Sequence, residues 1–305
     1  MIQGIFRDAH PFTKLLLVGF VMVSCYLALF GISLVGVFLG SGTRWDVIRH
    51  LIEMEHYEGH LGLLKFLQMG YSTGLFLIPA LLAAWLISGK PFNYLGLDER
   101  PSVNALLLVA LVMISAVPLN NLVSQLNYSI PLPDWLGGMK DRILENDRKG
   151  EAMMEAFLDQ KTTGGFITNL VMIAVIPSLG EEFIFRGTVQ RIFTEWSGSR
   201  HLGAWIGAVC FSLMHFQFFG FVPRVLLGAA LGYMFIWSRS LWLPVLAHFI
   251  NNSMAVVAFH LYYNGKLQFN PDIIGSGDHA LWYVFFSIVL VLVGMGSLHA
   301  LRKRG

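Results

Sequence analysis

Residues 15–40 and 66–89 each run without a charged side chain, and this leaves the chain little choice of solvent. A membrane-crossing helix needs about 20 mostly apolar residues. Because lipid offers the backbone no hydrogen bonds, only helices and closed barrels can cross it. The composition agrees, with 55% hydrophobic and 13% charged residues among 305 and a mean hydropathy of +0.61. The expected fold is all-α, a single polytopic domain over residues 1–305 with about eight transmembrane helices. Further runs lie at 103–126, which carries Pro118 and the amides Asn120, Asn121 and Gln125, and at 202–219, 225–237, 241–263 and 280–300. The fourth span starts at 166 and continues through Glu181, Glu182 and Arg186 to about Trp196, so it is expected to be long and broken, with Pro177 and Gly180 as sources of a kink.

The segments outside these runs narrow the function. Residues 1–14 precede an apolar run much longer than a signal-peptide core, so the run reads as a retained anchor. Cys25 and Cys210 both sit in apolar stretches and suggest neither a disulfide framework nor a cysteine-based zinc site. A net charge of +2 from scattered basic residues excludes a nucleic-acid partner. The long connection 127–165 carries Pro131, Pro133 and Trp135, then Met153, Met154, Phe157 and Leu158 at helical spacing among charges. Two readings stand: an extracytoplasmic amphipathic helix on the membrane surface, or a solvated helix and turn of no special role. With eight spans both termini share one side. Arg302, Lys303 and Arg304 after the last span place that side in the cytoplasm.

Small pairs at four-residue spacing, Gly36 with Gly40, Gly203 with Gly207 and Gly228 with Gly232, predict closely packed helices. The chemistry is expected where charge meets lipid. A carboxylate at the centre of a membrane helix costs at least ~2.5–3.5 kcal/mol, so Glu181 and Glu182 are candidates by position. Glu182 and Arg186 share a helix face and can pair, which leaves Glu181, turned about 100° away, free. Phe211 with His215, and His248 with Asn252, are i, i+4 pairs inside apolar spans. One intramembrane histidine is usually a packing residue; two, with an amide and a glutamate pair, suggest a shared site.

Other strings are weaker. His56, Glu58 and His60 do not form the His-Glu-x-x-His arrangement of zinc proteases, and the glycine-flanked Ser72 lies in a membrane helix instead of a strand-to-helix turn.

The ordered series Glu-Glu-x-x-x-Arg (Glu181, Glu182, Arg186), Phe-x-x-x-His (Phe211, His215) and His-x-x-x-Asn (His248, Asn252) resembles the CAAX-type prenyl-protein endopeptidases and bacteriocin-processing proteins, also called Abi-like, over a core of about 166–252. Asn251 also follows His248, but only Asn252 has the four-residue spacing. The resemblance implies an eight-helix membrane fold and an intramembrane endopeptidase acting on a membrane-embedded or lipidated peptide or protein. Glu181 and His215 would activate water, and His248 and Asn252 would stabilise the oxyanion. Glu182 and Arg186 would support them, with Phe211 beneath His215. It implies no cofactor, with zinc held by the His and Glu side chains as the alternative. Non-catalytic immunity or peptide-binding members of the same fold are a second alternative, and a transporter is a third, for which the two halves of the chain show no convincing repeat. The setting expected is lipid, in a bacterial cytoplasmic membrane.

Catalysis also sets a depth requirement. Extending the fourth span to about Trp196 brings Glu181 level with His215. His248, seven residues after Leu241, stays too shallow unless the 238–242 turn is sunk into the protein.

Overall fold

The computed structural model of the chain describes residues 4–42, 44–53, 58–271, 274 and 280–301. These residues form twelve helices and no strand. They are α1 (Pro11–Gly40), α2 (Trp45–Glu53), α3 (Leu61–Ser88), α4 (Pro91–Leu95), α5 (Val103–Ser115), α6 (Val117–Tyr128), α7 (Met139–Leu158), α8 (Thr163–Ser197), α9 (Arg200–Leu213), α10 (Phe221–Ser238), α11 (Trp242–Tyr263) and α12 (Ala280–Leu301). His56 lies outside the described residues, as do Arg302, Lys303 and Arg304.

Six of these helices, α1, α3, α8, α10, α11 and α12, are long and apolar enough to cross a membrane. The pair α5 and α6, bent by 45°, makes a seventh if it is one span. The protein is a polytopic helical membrane protein, with six or seven full-length spans among the described residues where about eight were expected. The difference lies at 202–219, where α9 ends at Leu213 after 14 residues. At 1.5 Å per residue α9 reaches ~21 Å, short of a ~30 Å hydrocarbon core. The chain turns at Phe216, whose φ is +52°, and re-enters the bundle as α10.

Apolar side chains are turned outward on the peripheral helices, such as Phe20 of α1 and Leu292 of α12, while Glu182, Arg186 and Gln190 of α8 are buried. This inverts the usual soluble pattern and suits lipid outside with polar chemistry inside. α8 is continuous over 35 residues, as the depth requirement demanded, but two π-helical turns interrupt it, at Leu170–Val175 and Phe185–Val189.

The Gly203–Gly207 and Gly228–Gly232 pairs pack as expected, whereas an added Cβ at Gly36 or Gly40 would meet only a side chain, Phe66 at 3.2 Å or Leu63 at 3.8 Å. A Cβ at Gly203 would lie 2.7 Å from the Gln190 carbonyl, and one at Gly228 would lie 3.0 Å from Ala208. The glycines also leave backbone within reach of α8: Arg186 Nη2 donates to Gly228 O at 3.2 Å, and Gln190 Nε2 to Gly232 O at 3.1 Å. Gly70 and Gly74, which flank Ser72, lie against Ser33 and Leu29 of α1, a packing role.

Where α5 and α6 break, Ser287 of α12 repairs the ladder. Its hydroxyl donates to Ser115 O at 2.5 Å and accepts from Leu119 N at 3.3 Å, joining two groups that an unbroken helix would bond directly.

The 238–242 turn is sunk. Leu241 N donates to Gly96 O at 3.0 Å, Ser240 Oγ to Glu99 O at 2.5 Å and Trp242 Nε1 to Leu97 O at 2.9 Å. Gly96 allows this approach: its φ is +78°, and a Cβ there would lie 2.7 Å from Arg239 O. Ser240 and Leu241 are therefore buried, whereas Trp242, the first residue of α11, is 40% exposed.

Candidate active site

Glu182 is fully buried and lies at the centre of the polar cluster. Its Oε1 accepts from Arg186 Nη1 at 2.7 Å, one helical turn along α8, and from His248 Nδ1 of α11, also at 2.7 Å. The first contact follows from i, i+4 spacing. The second crosses between helices and depends on the sunken turn before α11. Since a carboxylate only accepts, His248 Nδ1 carries a proton. The other ring nitrogen, Nε2, lies 3.9 Å from Glu181 Oε2. Among the described residues no donor reaches Glu182 Oε2, and none is within hydrogen-bonding distance of the Glu181 carboxylate.

Phe211 of α9 links the cluster to the second histidine. Its ring meets His215 edge-on at 5.0 Å between centroids and His248 edge-on at 5.8 Å, and the Arg186 guanidinium lies over it at 4.5 Å. Such edge contacts and a cation over a ring face fix orientation as well as filling space. His215 lies in the turn past the end of α9, so its place is not set by helix geometry. Its Nδ1 is 2.9 Å from Phe211 O. A carbonyl accepts only, so Nδ1 holds the proton and Nε2 of the neutral ring is left with a lone pair.

Asn252 Nδ2 donates to Ile173 O at 2.9 Å, and Asn252 Oδ1 accepts from Asn251 at 3.0 Å. The reason lies in Pro177. A proline has no N–H for the carbonyl four residues back, and for Pro177 that carbonyl is Ile173 O. Asn252 fills the gap with one amide hydrogen and keeps the other.

The structure therefore joins Glu181, Glu182, Arg186, Phe211, His215 and His248 in one contiguous cluster, and ties Asn252 to α8 one turn along α11. Sequence reasoning paired Glu182 only with Arg186 and did not find its bond to His248. Residues that hold the His215 turn were also missed: Asp147, Asn127 and Arg224. Nothing in their local sequence marks them as buried or bonded. The Asn252 contact did have a signal, the carbonyl that Pro177 leaves free.

A zinc site would need three protein ligands at one point. Among the described residues no group of three or more His, Cys, Asp or Glu side chains is placed to hold a metal ion.

The fold and the cluster define a polytopic membrane protein with an acid–histidine centre in its interior. The family described as type II CAAX prenyl endopeptidase, Rce1-like, matches residues 163–254. That stretch holds every candidate site residue, and over it the resemblance read from the three motifs holds. An uncharacterized protein, YpbD of Bacillus subtilis (strain 168), is 27% identical over 88 residues, which are 28% of this chain and 42% of that protein. The chain thus matches less than half the length of this curated relative. No solved structure matches.

Proposed function

We propose that the protein is an intramembrane endopeptidase that hydrolyses a peptide bond of a membrane-embedded or lipidated peptide or protein. The observation that carries this reading is the buried chain Arg186–Glu182–His248–Glu181, which ends in a carboxylate with no hydrogen-bond donor among the described residues. In this reading Glu182 and Arg186 balance each other and fix His248, while Glu181 works.

Water sits between Glu181 and His215 Nε2. Glu181 takes one water proton as the oxygen attacks the scissile carbonyl carbon. The carbonyl π pair moves onto oxygen. The oxyanion accepts hydrogen bonds from the spare amide hydrogen of Asn252 and from Nε2 of His248 in its doubly protonated form. When the C–N bond breaks, its electron pair leaves with nitrogen, and Glu181 returns its proton to the departing amine. The acid and amine products contain the atoms of one water and one peptide, so no oxidant or reductant is consumed. We place the reaction in a bacterial cytoplasmic membrane.

The test is a comparison of peptides released from membranes carrying the wild type, Glu181→Gln or His215→Gln, before and after exhaustive chelation. Products should appear with the wild type, persist after chelation, and vanish in both variants while each stays folded in detergent. Equal product release from both variants would end the proposal, and loss on chelation would replace it with a metalloprotease.

A further inference from the structure

His215 is the one proposed working residue that no helix fixes. It follows the end of α9 and precedes Phe216, a non-glycine residue with φ of +52° whose side chain is 75% exposed. A backbone in that region persists only where its surroundings hold it. Much of what holds it comes from outside the 163–254 stretch that the family match covers.

Asp147 of α7 is 4% exposed. Its carboxylate accepts from Phe218 N at 3.0 Å and 3.2 Å, and from Phe219 N at 3.1 Å. Next to it, Asn146 Nδ2 donates to Phe216 O at 2.7 Å. From α6, the buried Asn127 donates to Phe218 O at 3.2 Å and accepts from Val222 N at 3.0 Å. Arg224 adds two bonds to Gln217, at 2.9 Å and 3.1 Å. The helix carrying Asp147 is itself anchored at its far end. Lys65 Nζ and Asn169 Nδ2 both donate to Phe157 O, at 3.1 Å and 2.6 Å. The long third connection is therefore a brace against the site.

We propose that Asp147 is a positioning residue: by gripping the amides of Phe218 and Phe219 it sets the turn after α9 and, through it, the ring of His215. Charge-assisted bonds to a buried carboxylate are stronger than neutral ones, so its removal releases this turn ahead of the rest of the bundle. That His215 acts on water rests on the function proposed above. That Asp147 sets its ring does not.

The experiment uses the full chain in detergent micelles as wild type, Asp147→Ala, Asp147→Asn and Glu181→Gln. Side-chain nitrogen NMR of labelled histidine, assigned with His215→Gln, reads the His215 tautomer, and amide exchange by mass spectrometry reads residues 214–222. The wild type should show one His215 signal set, protonated at Nδ1. In Asp147→Ala the signal should become a mixture, and exchange at 218 and 219 should rise by about tenfold or more while amides of α10 beyond residue 225 keep their protection. Asp147→Asn, which retains one acceptor oxygen, should fall between. An unchanged His215 signal and unchanged local exchange in Asp147→Ala would overturn the proposal. Exchange rising across the whole bundle in both Asp147 variants would do the same, since the residue would then support only the fold. If the alanine variant alone unfolds, Asp147→Asn decides on the same two readouts. Peptide release by Glu181→Gln equal to wild type refutes the enzyme reading and leaves these results in force.

Discussion

The contact between Asn252 and Ile173 separates a structural role from a chemical one, and a double-variant cycle measures both. In Asn252→Ala the Ile173 carbonyl loses its donor while Pro177 still supplies none. An unpaired acceptor inside a protein costs about 1–3 kcal/mol. At about 2–4 °C per kcal/mol for a protein of roughly this size, the thermal midpoint in detergent should fall by several degrees. Pro177→Ala returns a backbone N–H four residues beyond Ile173, so Asn252→Ala placed on that background should cost little. The coupling between the two sites should be about 1–2 kcal/mol, within the range for residues that share one partner. Activity should behave differently. If the second amide hydrogen of Asn252 meets the oxyanion, turnover should remain about 100-fold or more below wild type in the double variant, even with stability restored. Equal thermal losses on both backgrounds would refute the argument that Asn252 substitutes for the missing proline N–H. Full turnover in the double variant would remove Asn252 from the proposed chemistry.

Two further outcomes follow from the packing of α8. Arg186→Met leaves the Glu182 charge in a dry interior with His248 as its remaining partner, and breaking a buried pair in this way should cost about 3–5 kcal/mol, read as a fall in the detergent melting temperature; an unchanged melt would show that Arg186 is not the balancing charge. Gly203→Ala drives a Cβ into the Gln190 carbonyl, 2.7 Å away, and should destabilise by about 1–3 kcal/mol, whereas Gly19→Ala on α1, with nothing within 4 Å of the added atom, should be neutral or stabilising in the same assay.

The sequence disclosed the features that repeat along a helix. Uncharged runs mark the spans because lipid penalises charge wherever it falls. Four-residue spacing announced the Glu182–Arg186 pair and the Gly203, Gly207, Gly228 and Gly232 seams, because neighbours on a helix face are fixed by its pitch. The length of α8 could be read by requiring Glu181 and His215 to meet. Features set by turns were less legible. The apolar run 202–219 gives no local sign that the helix stops at Leu213, because Phe216 adopts its positive φ under the hold of Asn146, Asp147 and Asn127 from distant segments. The depth of His248 depends on Gly96 and Glu99 gripping the 238–242 turn. Asp147 lies among other charged residues of α7, and nothing local distinguishes the one that is buried.

These contacts share a physical logic that bears on the reaction. In the interior of the bundle, several polar side chains engage main-chain groups made accessible by a proline, a turn or a glycine seam. Asn252 meets Ile173 O, Arg186 and Gln190 meet the Gly228 and Gly232 carbonyls, Asp147 meets two loop amides, and His215 meets Phe211 O. A buried polar group is tolerated when it is satisfied, and each of these is satisfied by a main-chain group. The Glu181 carboxylate differs: among the described residues neither of its oxygens accepts a hydrogen bond, and His248 Nε2 lies 3.9 Å away. His248, held at Nδ1 by Glu182, cannot readily swing over to quench it. A carboxylate kept unengaged in this setting can take a proton from water without first breaking a protein contact, which is why the proposed chemistry falls to Glu181 and not to Glu182, whose Oε1 already holds both Arg186 and His248.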